Sequence, residues 1–370
     1  MEKEHEQGMV LRVPPYRVDV QREADVIEEI LRIYGFNRVE ITKGLRSTLS
    51  YTSKPDKEDV VNLSSDLLSA NGFFEMKSNS LTPAAYYDTD ETLDPMAVRL
   101  NNPLSQDLAL MRQNLLFGGL EAIAYNINRK QNDLKLYEFG SCYFLNNEKI
   151  GDDPLEKYME TFHMGIYLSG RVQPGNWVQK PVEASFQHMK SYVEMVLIKL
   201  GIEPMTLDCT GSDNPNYDEA LIYLHNSTPL VEFGKVARHT VKHFDIKQQV
   251  FAAEFNWDVV LNALSGHRIL FKPLSRFHVV TRDFSLALDK SVTFESLRTL
   301  AFKAEKKLLK KVTLFDVYEG DKIEKGKKSY ALTFTLLDED KTLTDKQIDK
   351  AMLRIASEFE KELGASVRGM

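Results

Sequence analysis

The order of strand and helix patterns over the last 99 residues leaves few folds open to this chain. Apolar and polar residues alternate over 284–288, 313–318 and 329–337, so each stretch reads as a strand with one buried face. Helical periodicity fills 293–309, between the first two strands, and 344–363, after the third; a short last strand follows at 366–368. A basic hairpin loop with Lys322, Lys325, Lys327 and Lys328 joins the middle strands. The second helix carries its own signals. Thr344 with Gln347 forms a capping box, Ile348, Ala351, Met352, Ile355 and Phe359 make an apolar stripe, and Gly364 stops it. The resulting order, βαββαβ, is that of the ferredoxin-like plait.

Both helices of a plait cover one face of its sheet. Period-two alternation assigns Phe284, Leu286, Leu288, Phe315, Val317, Tyr330, Leu332, Phe334 and Leu336 to the covered face. It sends Asp283, Ser285, Ala287, Asp316, Tyr318, Ser329, Ala331 and Thr333 to solvent. An open face of small residues, one aromatic ring and hydrogen-bonding groups, rimmed by lysines, is built like surfaces that stack and read single-stranded bases. An ordinary polar sheet face has the same composition, and the pattern alone does not separate the two. Charge leans toward the first: from Lys272 onward there are 20 basic against 16 acidic residues, whereas the rest of the chain has 27 against 38.

The remaining residues are too many for one hydrophobic core to be the expectation in a chain of 370. With 43% hydrophobic and 27% charged residues the composition is that of a folded protein, which excludes a disordered or collagen-like chain. No apolar run approaches a membrane span, and the N-terminus lacks a basic stretch followed by an apolar one, so a cytoplasmic protein is expected. Cys142 and Cys209 are too few for a disulfide framework or a four-cysteine zinc site. Residues 49–268 alternate helical and strand patterns and predict an α+β unit with a mostly antiparallel sheet. Among its elements are helices at 57–70, 111–129 and 182–200 and strands at 75–81, 134–144, 163–169, 220–224, 230–236 and 249–256. Residues 1–48 hold an extended stretch and one helix over 23–34, too little for a core, and read as the end of a preceding domain. Residues 269–370 complete the expected division with the plait.

Two constellations stand out upstream. Asp19 lies just before the first helix, where Asp25, Glu28 and Glu29 sit at i, i+3 and i+4 and share a face. A hard cation such as Mg²⁺ would offset their repulsion, as would the positive helix N-terminus or pairing with Arg22 and Arg32. His239 and His243 stand at i, i+4, but Thr240 replaces the glutamate of a zinc protease. No catalytic constellation emerges from the middle unit.

These residues also carry a family resemblance. Pro14-Pro15-Tyr16-Arg17-Val18-Asp19 with Asp25-Val26-Ile27-Glu28-Glu29-Ile30 and Ile33-Tyr34-Gly35 resemble the segment before the synthetase-like core in the β subunit of bacterial phenylalanyl-tRNA synthetases. Leu116-Phe117-Gly118-Gly119-Leu120-Glu121-Ala122 and Leu136-Tyr137-Glu138-Phe139-Gly140 resemble that core. Ser275-Arg276-Phe277, Leu314-Phe315-Asp316-Val317-Tyr318 and Gly326-Lys327-Lys328-Ser329 resemble its anticodon-binding domain. The resemblance implies a class II synthetase-like core without an active site, followed by a ferredoxin-fold anticodon-binding domain. It implies part of an (αβ)₂ heterotetramer in which the α subunit uses ATP to activate phenylalanine and charges tRNA(Phe), while this chain alone is inactive. It further implies Mg²⁺ at Asp19, Asp25, Glu28 and Glu29, at the boundary with the α subunit, and tRNA contacts from Ser285, Asp316, Tyr318 and Ser329. An independent RNA-binding or scaffold protein built from the same domains is the alternative; a charging assay with and without an α subunit separates them.

Overall fold

The computed structural model describes residues 3–5, 8–40, 44, 47–48, 54–87, 95–146, 153, 155–265, 271, 273–320, 323–324 and 326–368. The chain divides into two compact units, Met1–His267 and Arg268–Met370.

The first unit is built on a seven-stranded sheet. Its spatial order is Asp208–Gly211, Tyr217–His225, Thr228–Val236, Val250–Asn256, Tyr158–Ser169, Leu134–Leu145 and Phe74–Glu75. Every neighbouring pair is antiparallel except the last, where Phe74–Glu75 runs parallel to Leu134–Leu145. Both faces are covered. Helices Lys57–Ala70, Phe186–Lys199 and Trp257–Leu264 close one face over Phe139, Ile166, Phe233 and Phe255. Helix Leu116–Ile127 packs on the other over Leu136, Tyr167 and Ala252. Two glycines make this second packing possible, because a Cβ at Gly119 or at Gly165 would run into the Tyr167 ring, whose hydroxyl donates to the Leu115 carbonyl at 2.6 Å.

The expected helices over 57–70 and 23–34 have those bounds. Others are shorter, for reasons visible in the packing. The helix expected from residue 111 begins at Leu116, because Leu110–Met111 pairs with Leu81–Thr82 as a short strand and Arg112 is drawn into a buried ion pair. The one expected from residue 182 begins at Phe186, after Val182–Glu183 has paired with Arg171–Gln173 and Ser185 has taken the N-cap. The strand expected over 75–81 breaks into two-residue pieces around Ser78, which turns inward to Glu138. Helix Trp257–Leu264 and strand Asp208–Gly211 were not legible.

The second unit is a four-stranded plait in the order Leu309–Tyr318, Lys327–Leu336, Val280–Asp289, Ser366–Arg368. Helices Phe294–Ala304 and Asp345–Leu363 lie on one face over Leu286, Leu332 and Phe334, all fully buried. The first helix stops at Ala304, not at residue 309. There the buried Glu305 accepts from the backbone N–H groups of Lys307 and Leu308 and from Arg354, turning the chain into the next strand.

Candidate nucleic-acid interface

The uncovered face of the plait is organised in cross-strand rows. Directly opposed residues of an antiparallel pair share a face. Ser285 opposes Ala331, which opposes Asp316; Ala287 opposes Ser329, which opposes Tyr318. The structure therefore brings Ser285, Asp316, Tyr318 and Ser329 together on adjacent rows. Ser285 and Ser329 hydroxyls share a hydrogen bond at 3.4 Å, and Thr333 donates to Asp283 at 2.6 Å in the next row. Asp316 is exposed and makes no ion pair with a described residue. Tyr318 is 41% exposed, and its ring lies against the backbone of Gly320, where a Cβ would come within 2.6 Å of the phenolic oxygen.

Asp316 and Tyr318 reach this face through a β-bulge. The register of the edge strand slips between Leu314, opposite Leu332, and Asp316, opposite Ala331. The extra residue is Phe315, 59% exposed, which corrects its assignment to the helix side. Val317 does oppose Tyr330 of the covered face, yet it is half exposed because the helices do not reach this end of the edge strand. The lysine rim also needs correcting. Lys322 and Lys325 lie outside the described residues. Lys328 is 7% exposed with its ammonium 4.6 Å from the centre of the Tyr330 ring on the covered side, while Lys327 pairs with Glu324. Lys311, opposite Thr335, also stands on the open face, a position the alternation does not single out.

The acidic set around helix Glu23–Tyr34 is held by its own chain. Arg17 Nη2 donates to Asp19 at 2.9 Å and to Glu29 at 2.6 Å, and Arg32 donates to Glu29 at 2.9 Å. Asp25 accepts from the backbone N–H groups of Gln21 and Arg22 at 2.9 and 2.8 Å, closing the helix start. The Arg17 guanidinium holds the Asp19 and Glu29 carboxyls below their ordinary values, and the two backbone donors do the same for Asp25. Glu28 points to solvent. Two of the four carboxylates thus already converge on one positive charge, in a donor set made only of oxygen.

On the sheet face of the first unit under helix Leu116–Ile127 lies a polar island that local patterns did not reveal. Glu138, fully buried, accepts from Ser78 and from Arg112 at 2.8 Å. Beside it, Glu254 accepts from His163 Nδ1 at 2.7 Å, the Leu115 N–H at 3.1 Å and the Cys142 thiol at 3.9 Å. Burial first, and the adjacent Glu254 second, push the Cys142 thiol up, so it is no nucleophile. Cys142 and Glu254 are 112 positions apart, and no sequence spacing links them.

Residues 42–257 match the family model described as the phenylalanyl tRNA synthetase beta chain CLM domain. The chain belongs to the phenylalanyl-tRNA synthetase beta chain family. Residues 275–368 match a ferredoxin-fold anticodon binding domain and residues 1–36 a tRNA synthetase B5 domain. The phenylalanine–tRNA ligase beta subunit of Bacteroides fragilis is 44% identical over 366 residues, covering 98% of this chain and 45% of that protein. That of Porphyromonas gingivalis is 42% identical over 373 residues, covering 99% and 45%. The chain therefore spans less than half the length of these relatives. Among solved structures, a pyrrolysyl tRNA synthetase of Desulfitobacterium hafniense overlays 56% of this chain and 69% of its own at a TM-score of 0.42 and 14% identity, a likeness too loose to argue from. Among the described residues, no helix of this family member is long and apolar enough to cross a membrane.

Proposed function

We propose that this chain is the non-catalytic, tRNA-binding portion of a phenylalanine–tRNA ligase β subunit. The observation that carries the reading is the pair of rows on the open plait face, which sets a half-exposed tyrosine beside an exposed carboxylate and two serine hydroxyls. Tyr318 offers a ring on which a base can stack. Asp316 can accept from the N1 and N2 donors of guanine, the base that begins phenylalanine anticodons, and Ser285 and Ser329 can bond neighbouring edges. Lys311 adds a phosphate contact that weakens with salt and reads no sequence.

In this reading an α subunit performs the chemistry with ATP, in an (αβ)₂ assembly in the cytoplasm, and the chain described here does not charge tRNA alone. Among the described residues, the cavity bordered by His163, Glu232 and Glu254 has no arginine in its lining that could position a transferring adenylyl group. Mg²⁺ is proposed at Asp19, Asp25, Glu28 and Glu29 in that assembly. The carboxylates suit a hard cation, and Mg²⁺ requires only one or two of them besides its waters. Arg17 now supplies the positive charge between Asp19 and Glu29 and would have to turn aside.

The test is binding of tRNA(Phe) at fixed salt, with charging after addition of an α subunit. Stacking is worth about 1–3 kcal/mol per base, so Tyr318→Ala should weaken binding roughly ten- to a hundredfold. Asp316→Ala should in addition reduce discrimination against a tRNA whose first anticodon base is changed. Normal affinity and normal discrimination in both variants would sink the proposal.

A further inference from the structure

The polar island of the first unit is assembled from three adjacent strands. Cys142 lies on Leu134–Leu145, His163 on Tyr158–Ser169 and Glu254 on Val250–Asn256. Their register puts all three on the face under helix Leu116–Ile127, since His163 opposes Gly140 and Glu254 opposes Gly165. The two glycines let neighbouring side chains cross the sheet beside these groups, the Arg112 guanidinium over Gly140 and the Tyr167 hydroxyl over Gly165. Thiol, imidazole and carboxylate ligand atoms lie within 4.8 Å of one another.

The site opens toward a cavity. Cys142 is fully buried, whereas His163 and Glu254 form part of the wall of a cavity of about 260 Å³. Across that cavity stands Glu232, directly opposite Glu254 in the ladder, held by Ser212 and by Asn214 at 2.8 Å. Opposed carboxylates repel. Among the described residues neither has a lysine or arginine partner, and no lysine or arginine lines the cavity. Arg112, the nearest arginine of the island, is neutralised by Glu138. Both carboxylates are half-buried, and a divalent cation would offset their repulsion where, among the described residues, only the His163 imidazole now does so.

We infer that Cys142, His163 and Glu254 form a three-ligand site for a borderline-soft divalent cation, Zn²⁺ in the first place, whose fourth position faces the cavity. Sulfur, nitrogen and oxygen at about 2.3, 2.0 and 2.1 Å in a tetrahedron lie about 3.4–3.6 Å apart. The present contacts of 2.7 Å for imidazole to carboxylate and 3.9 Å for thiol to carboxylate need adjustments of well under 1 Å, and the thiol and imidazole, within 4.8 Å of each other, need to close by up to about 1.3 Å. The surrounding bonds suit ligation. Thr161 meets His163 Nε2 at 2.9 Å, leaving Nδ1 for the metal, and the Leu115 N–H fixes the second oxygen of Glu254. On binding, Cys142 gives its proton to solvent as the metal–sulfur bond forms, with no oxidant or reductant involved. The ion staples three strands, and its open position can hold water or a small ligand from the cavity.

The test titrates the full 370-residue chain, stripped of metal, with Co²⁺ as a spectroscopic stand-in. One equivalent should bind with a thiolate-to-cobalt charge-transfer band and intense tetrahedral visible bands, both removed by Zn²⁺. Cys142→Ser should abolish the charge-transfer band, and Cys209→Ser, at the exposed cysteine, should leave it intact. His163→Asn and Glu254→Gln should each weaken binding by about tenfold or more. Circular dichroism verifies the fold of each variant, and Zn²⁺ should raise the melting temperature of the wild type but not of His163→Asn. Absence of binding at micromolar metal, a band that survives Cys142→Ser, or a band lost with Cys209→Ser would each overturn the inference.

Discussion

Helices Glu23–Tyr34 and Asp345–Leu363 carry the same kind of sequence signal, and the molecule treats them in opposite ways. Each has an apolar stripe at helical spacing, a start closed by its third residue and a glycine at its end. In the plait helix Ile348, Ala351, Met352, Ile355, Ala356 and Phe359 are buried. In the first helix no residue is buried, and Ile27, Ile30, Ile33 and Tyr34 are 48–90% exposed. The lesson is that amphipathicity specifies a helix ready to dock, while the stabilisation itself comes only from the surface it meets.

The largest test of that contrast exchanges one apolar residue in each helix. Phe359→Ala should cost about 3–5 kcal/mol by denaturant unfolding of the plait, whereas Ile30→Ala should stay within about 0.5 kcal/mol. Comparable losses at both positions would mean that the first helix is docked after all.

Next come the helix starts. Gln347 accepts from the Thr344 N–H and hydroxyl at 3.1 and 3.0 Å, so Gln347→Ala should cost the plait about 1 kcal/mol. The first helix uses an ionisable group at the equivalent place. Asp25 has its carboxyl lowered by two backbone donors, so its contribution is present above the unfolded value near 4 and is lost as pH falls through the lowered folded value. Amide chemical shifts of Gln21 and Arg22 should therefore move on acidification while that of Thr344 does not. Gln347→Glu should transplant the same acid sensitivity to the plait.

The smallest expected effect compares two lysines. Lys311→Ala on the open face should lower tRNA affinity and reduce its salt dependence by about one unit of slope. Lys328→Ala, on the buried side against Tyr330, should change stability and leave that slope alone. Equal slopes in both variants would remove Lys311 from the interface.

Much of the fold is written locally. Glu23–Tyr34 and Lys57–Ala70 were readable because periodicity and the stops at Gly35 and Asn71-Gly72 act within one or two turns. The βαββαβ order and the face shared by Asp316 and Tyr318 follow from alternation in the same way. Phe315 and Lys328 were misread because a bulge and the edge of the helix layer depend on the partner strand and the packing above it.

What the sequence determined by itself, then, is the type and order of most elements and most of their apolar faces, since these follow from local periods of two residues in strands and three to four in helices. What only the tertiary structure decided is where helices stop, as at Arg112 and Glu305, which side chains are buried, and the meeting of Cys142, His163 and Glu254. Those outcomes depend on strands brought together across some 100 residues, and no local pattern records the register in which they pair.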